Sequence, residues 1–338
     1  MGKLKLKSKH RLLCGDTTDS ENVARLVGDA SLVMLHADPP YGMGKEKDGI
    51  ANDNLYAEKL DKFQMRWWNA WRTKTADNGS VYIWGNAPDL WRLWYQGGLQ
   101  DSERLTMRNE IVWHQVTGVS WGKDGMAGLR MFAPMGERCL FFMIGEQGFN
   151  NNSENYWHGW DGILHKLQKD CDAMGWTAKD IKRICGVGMY GHWFTESQWT
   201  FIPEEHYKKL QDEAKKVGEH DAFKREHDEL KREFYATRAF FNNTHDNMTD
   251  VWQFERVTGE ERHGHATPKP VEMMARAIKS SSEEGDAVGV PFAGTFPELI
   301  ACEQLNRKCY GMEIDPLYCD VVVKRWENLT GEKAVCNG

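Results

Sequence analysis

The sequence predicts an α/β fold: a mostly parallel sheet with crossover helices, interrupted by a mainly helical insertion. Three observations lead there. The first 150 residues alternate short apolar runs with amphipathic segments; the stretch from 151 to about 250 is polar, charged and helical; after that the alternation returns. At 338 residues the chain has the length for one large domain carrying an insertion, or for two domains. A net charge of −7 argues against coating nucleic acid wholesale but leaves local basic patches open. The 15 Trp imply large aromatic surfaces to bury or to stack on. No apolar run is long enough to span a bilayer. The N-terminal MGKLKLKSKH is basic with no apolar core after it, and Leu6 breaks the myristoylation pattern, so a cytoplasmic protein without membrane partners is expected. Cys302, Cys309 and Cys319 fit no zinc spacing, and no metal site is expected.

Taken in order, HRLLCGD reads as a strand ending at Gly15-Asp16, and SENVARLVGD as a helix capped by Asp19 or Ser20. SLVML (31–35) is a short buried strand. Pro39 and Pro40 must stop it at Asp38, because proline cannot extend a ladder. The segment 56–79 has helical periodicity and is expected to end at Asn78-Gly79. SVYIWGN, LTMRNEIVWHQ and RCLFFMIG are three further strands.

The insertion starts after the turn-rich GFNNNSEN. Two short helices are expected to meet at Met174-Gly175, the second running from Thr177 to near Gly186 and carrying Lys179, Lys182 and Arg183. A charged helical hairpin breaking at Val217-Gly218 follows, with Leu210, Ala214 and Val217, then Phe223, His227, Leu230 and Phe234, as apolar stripes. Trp193, Phe194 and Trp199 are read as core of the insertion.

The α/β pattern returns with a helix led by Pro270, then a strand, a glycine turn, a helix, a strand, an acid and a helix, which is a βαβ unit. In it PFAGT (291–295) lets backbone approach a ligand, and GMEID ends in Glu313 and Asp315, carboxylates placed to hold the two hydroxyls of a ribose. DPPY (38–41) adds chemistry at a strand's end. An exocyclic amine on a base is a poor nucleophile until a hydrogen-bond acceptor draws it toward tetrahedral geometry. Asp38 and the Pro39 carbonyl are such acceptors, and Tyr41 offers a face for an extruded base to stack on.

These motifs resemble the S-adenosylmethionine-dependent DNA amino-methyltransferases, in the β-type order: DPPY first, then a target-recognition insertion, then HATPKP, PFAGT and GMEID. The resemblance implies a Rossmann-like methyltransferase domain split into a catalytic half (1–150) and a cofactor half (251–338) around a recognition region (151–250). It implies Asp38, Pro39, Pro40 and Tyr41 as the catalytic tetrad. Asp16, Thr267, Lys269, Pro291, Phe292, Gly294, Glu313 and Asp315 are implied for the cofactor, with Lys179, Lys182 and Arg183 for DNA contact. Asp rather than Ser in the tetrad goes with adenine N6 over cytosine N4. Double-stranded DNA is the implied substrate, as in restriction–modification systems; homodimerisation and a companion nuclease are left open. Two positions depart from the family pattern. Val290 stands where an acid usually pairs with the cofactor's ammonium, and Phe296 where a second glycine is usual. The expectation is a crowded loop and weaker cofactor binding, with Glu298 as a substitute acid.

Overall fold

A computed structural model describes residues 3–5, 10–48, 50–115, 128, 130, 132, 136–145, 161–196, 199–218, 221–246, 248–262 and 268–337. The chain divides into two compact units, Met1–Ile144 with Ala239–Gly338, and Gly145–Arg238.

The first unit is built on a sheet. Its strands are β1 (Lys3–Lys5), β2 (Arg11–Cys14), β3 (Leu32–Ala37), β4 (Thr75–Gly85), β5 (Leu105–Gln115), β6 (Gly136–Ile144), β7 (Val251–Phe254), β8 (Ala287–Val290), β9 (Lys308–Glu313) and β10 (Val335–Asn337). They lie in the order β10-β1-β2-β9-β8-β3-β4-β6-β5-β7. The central five, β2-β9-β8-β3-β4, are all parallel. Beyond them β6 runs antiparallel to both β4 and β5. Its first residues therefore lie beside the end of β4, with Arg138 opposite Gly85. The chain leaves β8 toward β9 on one side and β3 toward β4 on the other, so the order switches direction between β8 and β3. The carboxyl edge at such a switch is an open crevice.

Helices α1 (Ser20–Val27), α2 (Glu58–Arg72) and α3 (Ala87–Tyr95) belong to the N-terminal part of this unit. In β3 the alternation of a strand sends Leu35 and Ala37 to one face and Met34 to the other. Trp67, Trp68 and Trp71 of α2 are fully buried on the Leu35 face, which accounts for part of the tryptophan content. The expected helix over 56–79 stops at Arg72, and Thr75 already pairs with Leu32 as the start of β4. A register shift between Leu32 and Met34 then takes up the extra residues of β4, so that Met34 pairs with Ser80.

The second unit has its own core. Helices α4 (Asp161–Ala173) and α5 (Ala178–Cys185) are joined at Met174-Gly175, where Gly175 takes φ +64°. Thr177 and Asp180 close a capping box at the start of α5. Short α6 (Tyr190–Trp193) precedes α7 (Glu204–Val217) and α8 (His227–Tyr235). Trp193, Phe194 and Trp199 are buried in this core. Val217 is exposed, and Phe223 is buried from a turn outside either helix, so the two expected stripes hold at Leu210, Ala214, His227, Leu230 and the partly buried Phe234, whose ring packs on Trp199 and Phe201.

This unit ends at Arg238, earlier than the 250 expected. Ala239 is already core of the first unit, Phe241 stacks on Phe141 of β6 at 5.6 Å, and the Asn242 amide donates to Ser280 O at 2.8 Å. The sheet unit then closes with α9 (Val271–Ser281), α10 (Pro297–Gln304) and α11 (Pro316–Thr330). No helix among the described residues is long and apolar enough to cross a membrane.

Candidate active site

All the parallel strands deliver their C-terminal residues to one edge. At the end of β3, Asp38 is followed by two prolines and a turn through Gly42 (φ +72°), where a Cβ would overlap the Leu55 carbonyl. Asp53 fastens this turn. Its buried carboxylate accepts the amides of Tyr41 and Gly42 at 2.9 Å through Oδ1 and that of Lys45 at 2.8 Å through Oδ2. Nothing in the sequence distinguishes Asp53 from a surface acid in a polar loop.

Asp38 belongs to a cluster of four ionisable groups. Lys269, immediately before α9, places Nζ 2.7 Å from Asp38 Oδ2, 3.0 Å from Glu137 Oε2 and 3.1 Å from the Tyr41 hydroxyl. The Tyr41 hydroxyl donates to Asp38 Oδ1. Burial pulls the Lys269 pKa down, but the charges of Asp38 and Glu137 and its hydrogen bonds to both outweigh that and raise it above the usual lysine range. The Tyr41 phenol is pushed well up, first by burial and then by the same two carboxylates. The site therefore holds a fixed ammonium and a neutral phenol. The resemblance implied that Lys269 serves the cofactor; it lines the cavity with Phe292, Gly294 and Glu313, and its ammonium is paired with Asp38 and Glu137. Glu137 was missed. Its signal is a lone acid near the start of an otherwise apolar strand, informative only once that strand is known to run antiparallel.

At the ends of β8 and β9, Gly294 (φ +52°) donates its amide to Glu313 Oε2 at 2.7 Å, and the Asp315 amide donates to Oε1 at 2.9 Å. Burial raises the Glu313 pKa, partly offset by these backbone donors. Asp38 and Glu313 line one cavity of about 240 Å³ together with Tyr41, Phe292 and Gly294. A narrower cleft of about 50 Å³ shares Phe292 and Glu313 with it and extends to Asp16 and Pro291. Asp315, expected as a ligand residue, is the cap of α11: its Oδ1 accepts the Leu317 amide at 2.8 Å, and it lines neither space. Thr267 lies outside the described residues.

Of the two departures, Phe296 does not crowd the loop. It is fully buried, and its ring covers Gly311 of β9, where a Cβ would meet Cε1 and Cε2 at 2.5 and 2.9 Å. Val290 is fully buried as well. Glu298, in the first turn of α10, lines the cavity with its side chain only 4 % exposed. Oε1 lies 2.8 Å from His36 Nδ1, while Oε2 is buried with no hydrogen-bond partner among the described residues. His36 Nε2 accepts from Trp84 Nε1 at 2.8 Å, while Nδ1 is buried and makes no hydrogen bond among the described residues.

In the second unit, Lys179 and Lys182 are exposed on α5. Arg183 pairs with Glu213 of α7 at 2.7 Å.

Residues 32–324 match the family model described as DNA methylase. The chain belongs to the DNA methylase family. The methylase is 37 % identical over 300 residues to the DNA adenine methyltransferase YhdJ of Escherichia coli (strain K12), covering 87 % of this chain and 76 % of that one. It is 20 % identical over 320 residues to the type II methyltransferase M.HpaI of Haemophilus parainfluenzae, covering 94 % and 74 %. Its fold is shared by the S-adenosylmethionine complex of M1.HpyAVI (TM-score 0.50, 12 % identity, 94 % and 98 % covered). The cytosine-N4-specific PvuII DNA methyltransferase also shares it (TM-score 0.53, 10 % identity, 94 % and 86 % covered). The methylase is a DNA methyltransferase with an α/β methyltransferase fold, and S-adenosylmethionine is its methyl donor.

Proposed function

We propose that the methylase modifies adenine at N6, at a specific DNA sequence, on a base rotated out of the duplex. The observation that carries this reading is the cluster at Asp38, a carboxylate on the wall of the cavity with both oxygens oriented by Tyr41 and Lys269. Its similarity to an adenine methyltransferase favours adenine.

The residues present fit S-adenosylmethionine. Each Glu313 oxygen takes one backbone amide and retains a lone pair for a ribose hydroxyl. Phe292 and Pro291 wall the narrow cleft, with Asp16 at hand for the adenine. Glu298 lines the cavity with one buried oxygen that has no hydrogen-bond partner among the described residues, and so could accept from an ammonium. Gly294 lets backbone come close. The donor supplies an electrophilic methyl on a sulfonium.

The chain supplies everything else. Asp38 and the Pro39 carbonyl accept hydrogen bonds from the target NH2, drawing its lone pair out of the ring and aiming it along the cavity. Each carboxylate oxygen of Asp38 has a second lone pair available for this. Tyr41, half-buried in the cavity wall, gives the base a face to stack on. Lys269 holds the Asp38 carboxylate in place through its 2.7 Å contact. Positioning and preorganised electrostatics together account for large rate factors without a covalent intermediate. The second unit, with Lys179 and Lys182 exposed on α5, is the region assigned to sequence reading, through phosphate contacts first.

The test is nucleoside mass spectrometry on mixed-sequence duplex DNA incubated with the protein and S-adenosylmethionine, beside Asp38→Ala. N6-methyladenine that disappears in the variant is expected. N4-methylcytosine would overturn the base assignment, and full activity of Asp38→Ala would overturn the role of Asp38.

A further inference from the structure

The mechanism above uses Asp38 and Lys269, which together are neutral. Glu137 is then the surplus negative charge of the site, and it has no task in that mechanism. It stands near the start of β6, lines the same cavity and is 24 % exposed. Its Oε2 faces Lys269 Nζ at 3.0 Å and the Tyr41 hydroxyl at 3.5 Å, and its Oε1 accepts from Gln115 Nε2 at 3.3 Å. Lys269 bridges the two carboxylates, with Asp38 on the shorter arm at 2.7 Å.

We propose that Glu137 is the proton acceptor of methyl transfer, reached from Asp38 through Lys269. The inference rests on the amine-methylation reading. As the nitrogen–carbon bond forms and the carbon–sulfur bond breaks, the electron pair stays on sulfur, which becomes neutral. The amine nitrogen takes up the positive charge and must release one of its protons. Asp38 holds that N–H and receives the proton. Lys269 gives one of its own protons to Glu137 as it takes this one from Asp38, so it finishes as an ammonium. Asp38 is returned to its charged form, Glu137 is left neutral, and its exposed face passes the proton to water.

Two features make Glu137 the end of this path. Asp38 already accepts from Tyr41 and from Lys269 and must accept the next amine as well, so a proton left there would block turnover. Glu137 holds the Lys269 ion pair at 3.0 Å, two longer hydrogen bonds and no substrate. The step also cancels the surplus charge: the four-group cluster goes from −1 to neutral while the cation beside it disappears.

The experiment compares the wild type, Glu137→Gln and Glu137→Gly in single-turnover methyl transfer, with cofactor and DNA affinities measured separately. Glu137→Gln is expected to bind both ligands like the wild type and to transfer about 10²–10⁴-fold more slowly, the range of a lost general base. Glu137→Gly is expected to be equally slow and to recover when small carboxylates are added, with acetate outperforming the less basic formate and chloride having no effect. A purely structural counter-ion to Lys269 would not order its rescuers by basicity. Transfer by Glu137→Gln at the wild-type rate, or recovery that follows ionic strength alone, overturns the proposal. Absence of any methylated base with the wild type would instead overturn the amine-methylation reading.

Discussion

Gly311→Ala tests how this chain accommodates Phe296 in its cofactor loop. The added methyl would stand 2.5 and 2.9 Å from two ring carbons of Phe296, where carbon atoms at rest are about 3.5–4.0 Å apart. Cζ of the ring lies closer still, so the overlap exceeds about 1 Å, and neither side yields easily. Gly311 is in a central strand paired on both sides, with Leu12 and Val290 opposite it. Phe296 has a left-handed backbone (φ +56°) fixed by its amide on Ala293 O at 2.6 Å. Overpacking of this kind costs about 1–3 kcal/mol, and the upper end is expected here. Phe296→Ala alone should cost about 3–5 kcal/mol for the lost buried ring. In the double variant the new methyl occupies part of the vacated space, so the two costs should fall short of additive by more than 1 kcal/mol. Urea unfolding of the four proteins, compared at equal slope, measures the cycle. Strict additivity, or a Gly311→Ala cost below about 0.5 kcal/mol, would mean that Phe296 does not cover Gly311. Tighter S-adenosylmethionine binding by Phe296→Ala would mean that the ring crowds the cofactor after all.

Other substitutions probe the same edge of the sheet. Asp53→Asn keeps an acceptor for Tyr41 and Gly42 but turns an N–H toward the Lys45 amide, so a loss of about 1–3 kcal/mol in thermal or urea stability and a marked fall in transfer rate are expected; unchanged stability would deny its fastening role. Glu298→Gln should weaken S-adenosylmethionine binding about ten- to a hundredfold by calorimetry while barely affecting an analogue that lacks the α-amino group; equal losses for both would show that Glu298 serves the fold alone. Glu313→Gln tests linkage. The folded carboxyl is raised, so between the ordinary glutamate range and its folded pKa the native state binds more protons than the unfolded state, and the wild type loses stability as pH rises through that window. Unfolding of the unliganded variant should lack this pH-dependent loss, on top of a constant cost of turning one amide N–H toward the Gly294 or Asp315 amide; parallel stability–pH curves would contradict the burial of Glu313.

The readable parts of this sequence were those with local causes. Pro39 and Pro40 cannot extend a strand, so the end of β3 and the position of Asp38 follow from the covalent chemistry of proline. PFAGT and GMEID mark the ends of β8 and β9 because glycine and a following acid are tied to a strand–turn–helix geometry. Where the local signal had two readings, the tertiary structure chose. Thr75 to Gly79 continues a helical period, yet pairing with Leu32 makes it strand. Asp315 has the composition of a ligand residue and the position of a helix cap, and the amide of Leu317 claims its side chain.

The sequence by itself determined the fold class and the strand ends that carry Asp38, Tyr41 and Glu313 to the cavity they line. Only the tertiary structure decided which groups share that site. Lys269 is 231 residues from Asp38, and Glu137 comes from a strand whose direction the sequence leaves open. Phe296 looks like an obstruction until Gly311, fifteen residues on, is seen beneath it. The physical reason is the same in each case. A turn, a cap or a strand end is set by neighbours along the chain. The charge balance of a buried cluster and the fit of a ring over a glycine are set by distances that exist only after the sheet has formed.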